Sequence, residues 1–368
     1  MKTMEEKTGT TRQMMKASPL ITYPLLFISG VIFMAVLSLL KSIFIPFALA
    51  IFLSYILYPA VILLTRIKIP YGIAVTIVLI LFLGVFLAVG VIIGGEISDF
   101  IQAVPQYQQT LKYHLGRALA AYSSLVERFA AALPGEPVPS QASGNTASLL
   151  SGIIGNLFSG LLSVFSIISD FILIFFILVF LLAGAKDFKK KLTTAWGTGE
   201  EDRAGSIVKA INEGIGGYII IRSTINLGLA FVVTIVLLIF DIDYAYIWGP
   251  LTGILNFIPY IGAFLALIGP IVVALFQHNS YWTAIFLLLT IVLIQNVEGN
   301  ILTPFFIGKR VNLNPLAVLL GLILWGFVWG PVGMILATPL TTCFKILCNH
   351  VEPLKPIGSL LGSNVKEG

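Results

Sequence analysis

Long apolar runs alternate with short polar links along most of this chain. Apolar segments fall at about 21–40, 43–65, 71–95, 157–184, 216–240, 246–276, 282–297 and 315–344. A run of about 18 or more apolar residues is long enough to cross a bilayer as a helix. Continuous runs of this kind do not suit the alternating strands of about 10 residues that build a membrane barrel. The pattern predicts an all-α integral membrane protein with about eight apolar segments. Lys41-Ser42 is the whole link between the first two, so they form a tight hairpin. Pro46 and Pro59 sit near the ends of the second helix or kink it.

One stretch departs from this pattern. Residues 96–150 carry charges, Gln, Ser and Ala, and Phe100, Val104, Tyr107, Leu111 and Leu115 recur at helical spacing within 97–133. Pro134-Gly135-Glu136-Pro137 ends that amphipathic helix, and a Ser/Gly/Asn-rich linker follows. The module is too short to bury much core alone. It is expected to pack on the membrane region or on a neighbouring subunit. The organisation read from sequence is a tail at 1–20, helices 1–3 at 21–95, the amphipathic module at 96–150, a transport region at 151–345 with a charged helix at 186–215, and a tail at 346–368.

Segments six and eight are too long. At 31 and 30 residues without a charge, each would run about 45 Å as a straight helix, against a hydrocarbon core of about 30 Å. Pro259 and Gly262 interrupt one, and Gly326, Gly330, Pro331 and Gly333 the other. Each is either a tilted span or a broken helix or re-entrant hairpin. Paired interrupted segments in a transporter point to a substrate site, because the freed backbone groups can face a ligand.

Charge adds an orientation. Only 11% of residues are charged and 58% are apolar. Soluble domains carry about 25% charged residues. The net charge of +5 comes from basic residues that flank spans, so it does not point to nucleic acid. Lys and Arg are concentrated in the N-terminal tail, the 66–68 loop and the 186–191 run, and are sparse at Lys41 and in 241–243. The positive-inside rule places both termini in the cytoplasm and the 96–150 module outside. It also favours hairpins for segments six and eight, which keep Lys309 and Arg310 inside. The basic start before an apolar run resembles a signal peptide, but the long run and the absence of a small-residue cleavage site favour a first membrane helix. Cys343 and Cys348 read as free thiols, and the scattered His114, His278 and His350 give no metal spacing.

The chemistry sits in a polar stripe within apolar sequence. It includes Asn256, Pro259, Tyr260 and Gly262, then Gln295, Glu298, Asn300, Thr303 and Pro304. Orphan polar groups in lipid cost several kcal/mol each, so such residues persist mainly inside protein or along a pathway. Glu298 suits cation binding or proton carriage, or alternatively holds a loop through Asn300 and Thr303. The Asn256 amide, with the carbonyl freed by Pro259, suits a cation or a polyol; the alternative is a plain kink. Asp170 and Arg222 are secondary candidates. They would pair with each other, or Arg222 would snorkel or attract an anion.

With these residues in view, the chain resembles the autoinducer-2 exporter family of bacterial membrane proteins. The resemblance is carried by GILNFIPYIG at 253–262, VEGNILTP at 297–304, IGKRVNLNP at 307–315 and GPVGMILATP at 330–339. The N-terminal half matches in layout. The family commonly has His before Pro315, where Asn314 stands here, so no proton-carrying role is assigned to that position. The resemblance implies transport, of autoinducer-2 or of sodium or lithium in exchange for protons. It also implies a homo-oligomer, with a pentamer among the possible forms, in the bacterial inner membrane.

The expected function is secondary transport that exports a small polar metabolite of the autoinducer-2 type. The alternatives are a sodium(lithium)/proton antiporter and a membrane scaffold acting through 96–150. No cofactor is expected beyond a coupling Na+ or H+. No phosphate-binding loop and no nucleophile–base or metal set appears, so an enzyme is not expected.

Overall fold

The computed structural model describes residues 19–132, 171–195, 210–278, 281–307 and 312–363. Helices account for nearly all of them. In chain order they are α1 (Pro19–Leu39), α2 (Lys41–Arg66), α3 (Tyr71–Ala132), α4 (Phe171–Ala195), α5 (Gly217–Ile239), α6 (Ala245–Leu255), α7 (Ile261–Gln277), α8 (Tyr281–Val297), α9 (Thr303–Ile307), α10 (Pro315–His350) and α11 (Lys355–Leu360). Two π turns, Asn212–Gly216 and Glu298–Leu302, lead into α5 and α9. Among the described residues, five helical stretches are long and apolar enough to cross a membrane: Lys41–Arg66, Tyr71–Glu96, Asn212–Ile239, Tyr281–Ile307 and Pro315–His350. Large apolar side chains such as Leu227, Phe231, Ile239 and Phe327 lie on the outer surface, as a lipid solvent requires.

The third segment and the amphipathic module are one helix. α3 runs for 62 residues, about 93 Å at the α-helical rise, so it projects far past any bilayer core. The change at Glu96 alters the solvent the helix meets, while its backbone ladder continues. In the same way α4 carries segment four into the charged stretch as far as Ala195. Residues 133–170, Asp170 among them, and the Lys309-Arg310 pair lie outside the described residues.

α2, α3 and α4 pack as one layer around Ala50, Val61, Val78, Leu178 and Leu182. Phe86 stacks on Phe171 with ring centroids 3.5 Å apart, and the Tyr71 hydroxyl donates to the Leu182 carbonyl at 2.6 Å. The larger core joins α5 to α10, with α1 and α2 against it.

Segments six and eight are both hairpins. In the first, α6 and α7 are antiparallel. A Cβ on Gly262 would lie 1.9 Å from the Leu255 carbonyl oxygen, and one on Gly269 would lie 2.0 Å from the Trp248 ring. At the base, Gln277 Nε2 donates to the Asp241 carbonyl at 2.7 Å, and the Asp243 amide donates to Gln277 Oε1 at 2.9 Å. In the second, α10 reverses at Gly330, whose φ 63°, ψ −143° is not helical. Its arms, 315–329 and 331–350, then run side by side, with Gly321 against Thr341 and Gly326 against Met334. Lys345 Nζ at the base donates to the Asn312 carbonyl, and the Asn314 amide donates to the Leu361 carbonyl at 3.0 Å. Asn314 caps the first arm, its side chain accepting from Leu316 N at 2.7 Å and Ala317 N at 3.1 Å. This is the work of the residue that stands before Pro315.

The stretch Tyr281–Ile307 links the two hairpin bases and is long enough to cross a bilayer. The hairpin bases therefore stand at opposite ends of that stretch.

Candidate functional site

The first hairpin is brought to its place by close helix contact. Gly249 and Gly253 form a G-x-x-x-G stripe on α6, which lets two helix backbones approach. A Cβ on Gly253 would lie 2.7 Å from the Asn226 carbonyl of α5, and one on Gly249 would lie 1.8 Å from Thr234 Oγ1. α6 therefore lies tightly along α5, and its end at Leu255 delivers the tip beside the first turns of α5.

The tip itself, 256–260, is a sequence of tight turns. The Ile258 amide donates to the Leu255 carbonyl at 2.8 Å, and the Ile261 amide to the Pro259 carbonyl at 2.7 Å. The second bond closes a γ-turn over Tyr260, at φ 64°, ψ −49°. That is the rare, strained hand of this turn. Strained non-glycine backbone of this type concentrates at clamps and switches. Tyr260 is exposed and Pro259 half-buried. Phe257 of the tip meets Phe52 of α2 edge to face, with ring centroids 5.3 Å apart.

Three elements meet at Arg222 of α5. Its Nη1 donates to Glu298 Oε1 at 2.7 Å and to Thr303 Oγ1 at 3.1 Å, and its Nη2 donates to the carbonyl of Asn256 at the tip. Thr303 in turn donates to the same Glu298 oxygen at 2.5 Å. The Arg222 and Glu298 side chains are 11% and 7% exposed, so the pair is nearly dry. Lone charges at that depth are costly, and pairing with further hydrogen bonds is what makes both tolerable. Glu298 opens the π turn that precedes Pro304. Pro304 has no amide hydrogen and its ring crowds the carbonyl four residues earlier. The π turn takes up that mismatch, and π turns recur at functional sites.

One turn along α5 from Arg222, Asn226 Oδ1 accepts from Asn256 Nδ2 at 3.0 Å, with both residues buried. The Asn226 Nδ2 and Ser223 Oγ atoms are buried without a hydrogen-bond partner. Tyr218, one turn before Arg222, is buried beside Arg222, Glu298 and Thr338 of the second hairpin. An open-sided cavity of about 640 Å³ lies between α5 and α8, with Ile225, Gly228, Leu293 and Val297 among its apolar walls and Glu298 as its charged residue.

The residues picked out from the sequence divide into two groups. Asn256, Glu298, Thr303 and Arg222 meet directly. Gln295 braces the hairpin by donating to the Ala263 carbonyl at 3.1 Å, and Gly262 permits the chain reversal. Asn300 turns away and donates to Asn296 Oδ1 on the exposed face, so it does not hold Glu298, and Pro304 is exposed as well. Arg222 pairs with Glu298 and does not snorkel to an interface; Asp170, the partner considered from sequence, lies outside the described residues. Sequence reasoning passed over Asn226 and Tyr218. The G-x-x-x-G stripe and the lone amide of Asn226 within segment five were the signals for the first. Nothing in the sequence marked the second. Among the described residues, no three His, Cys, Asp or Glu side chains converge as metal ligands do.

The model of the AI-2E family transporters matches residues 25–352. The AI-2 transport protein TqsA of Escherichia coli (strain K12) is 29% identical over 88% of this chain and 91% of its own length. A putative transport protein of Haemophilus influenzae is 30% identical over 90% of this chain and 93% of its own length. This chain belongs to the AI-2E transporter family and is a multi-pass membrane transporter.

Proposed function

We propose that this protein is a secondary transporter of the bacterial inner membrane, and that its solute passes the junction of the first hairpin tip with Arg222, Glu298 and Thr303. One observation carries the reading: a nearly dry ion pair holds the strained tip of a hairpin through a backbone carbonyl. Such a contact couples the charge state of the pair to the position of the tip. A solute that competes for Arg222 or Glu298 releases Asn256, and the hairpin is then free to open the path. The relative named as an AI-2 transport protein supports a small polar metabolite of that type as the solute, and we take its direction to be export. The positive-inside count supports cytoplasmic termini.

The nearly dry carboxylate of Glu298 also favours a second reading, sodium or lithium exchange for protons through that residue. Proteoliposomes separate the two. Efflux of labelled autoinducer-2 that is independent of sodium supports the first, and sodium-dependent proton flux without solute supports the second. In either case Glu298→Gln abolishes flux in protein that still elutes as one folded species. Wild-type flux in that variant overturns the assignment of the site.

A further inference from the structure

We propose that the solute is a small organic anion held by Arg222, and that Glu298 is the built-in occupant of that anion site. This rests on the reading of the Arg222–Glu298 junction as the transport site. A guanidinium presents paired donors that match the two oxygens of a carboxylate. Here those donors are spread over Glu298 Oε1, Thr303 Oγ1 and the Asn256 carbonyl, three separate acceptors doing what a single carboxylate does. The surroundings hold a surplus of donors. Asn226 is buried with its Nδ2 unpaired, and Ser223 one turn away has a buried, unpaired hydroxyl. Buried donors without acceptors are rare in folded proteins. A ligand that supplies only acceptors satisfies them. A cation supplies none, and a neutral polyol brings as many donors as acceptors.

The charge count extends the inference to coupling. The resting pair is neutral. An anion that takes Arg222 leaves Glu298 as a buried carboxylate with Thr303 as its remaining bond, and an unpaired buried charge is strongly unfavourable. A proton on Glu298 restores neutrality, so anion and proton load together. Among the described residues, the charged or titratable groups that face Glu298 are Arg222 and Tyr218, both from α5. Thr303 on its own element is neutral.

The test is calorimetric binding to the purified full-length protein, with matched probes: glycerate against glycerol, and lactate against 1,2-propanediol. Each is run in buffers of different ionisation enthalpy so that proton uptake is read directly. The acids are expected to bind about ten-fold or more tighter than the alcohols, with about one proton taken up per anion. Glu298→Gln is expected to bind the acids more tightly still, without proton uptake. Arg222→Gln loses the preference for acids, and Asn226→Leu weakens acid binding several-fold. Equal binding of acid and alcohol, or binding of neither, overturns the proposal. So does acid binding by wild-type protein with no proton uptake. The wild-type arm decides the matter even where a variant fails to fold. Flux assays in vesicles separate the two levels: transport of polyols but not acids leaves the site reading standing and removes this one, whereas no dependence of any flux on Glu298 removes both.

Discussion

Arg222 and Glu298 are 76 residues apart in the chain and 2.7 Å apart in the fold. Both side chains are nearly dry, and each offsets the charge of the other. Removing one partner leaves a buried charge, which costs about 3–5 kcal/mol. Arg222→Gln is therefore expected to lower thermal stability sharply in detergent, and Glu298→Gln less so, because Arg222 keeps its bond to the Asn256 carbonyl. The double variant Arg222→Gln with Glu298→Gln should recover most of the loss while remaining inactive. Additive losses in the double variant would show that the two side chains do not act as a pair.

Gly262 is required by space. A Cβ there would sit 1.9 Å from the Leu255 carbonyl oxygen, while a Cβ on Gly228 meets nothing within 4 Å. Gly262→Ala is expected to cost about 1–3 kcal/mol or more through forced backbone movement at the tip, and to reduce transport. Gly228→Ala should be neutral or slightly stabilising in its helix. Melting temperatures of the two variants compared side by side give the check, and equal values would remove the packed reversal at Leu255.

Gly330 is required by conformation. Nothing lies within 4 Å of its added Cβ, but its φ 63°, ψ −143° belongs to a region that only glycine occupies comfortably. Gly330→Ala is expected to lose about 1–3 kcal/mol of stability through local backbone strain, without a clash against the rest of the fold. A variant as stable as wild type would mean that the second hairpin does not turn at this residue.

The arms of α10 can be tested by crosslinking. Cysteines introduced by Gly321→Cys and Thr341→Cys, in a background with Cys343 and Cys348 changed to Ala, should form a disulfide within one chain under mild oxidation. The two positions face each other across the hairpin. In an unbroken helix, 20 residues would separate them by about 30 Å, far beyond disulfide reach. Absence of the bond in folded protein would favour a straight span.

The Thr303 hydroxyl both accepts from Arg222 and donates to Glu298. Thr303→Val keeps the shape and removes both bonds, so a loss of about 1–3 kcal/mol is expected, and Thr303→Ser should restore most of it. Equal stability in Val and Ser variants, read by thermal melting, would make the hydroxyl irrelevant to the pair.

The one-dimensional pattern was enough to establish a helical membrane protein, because lipid demands long apolar runs and punishes every exception to them. It also located the polar stripe from Asn256 to Pro304, for the same reason. The over-length of segments six and eight pointed to breaks, but a span, a kink and a hairpin share one composition. Tertiary contact decided for hairpins: Gly262 against Leu255, and Gly321 against Thr341. The choice among partners for Arg222 was equally open in sequence, since charge says that a partner is needed without saying which. Packing of Gly249 and Gly253 along α5 set the tip beside Arg222, and the π turn before Pro304 brought Glu298 to the same point. Local pattern records what each residue requires of its solvent. Which residue supplies it across 76 positions is set by how the helices pack.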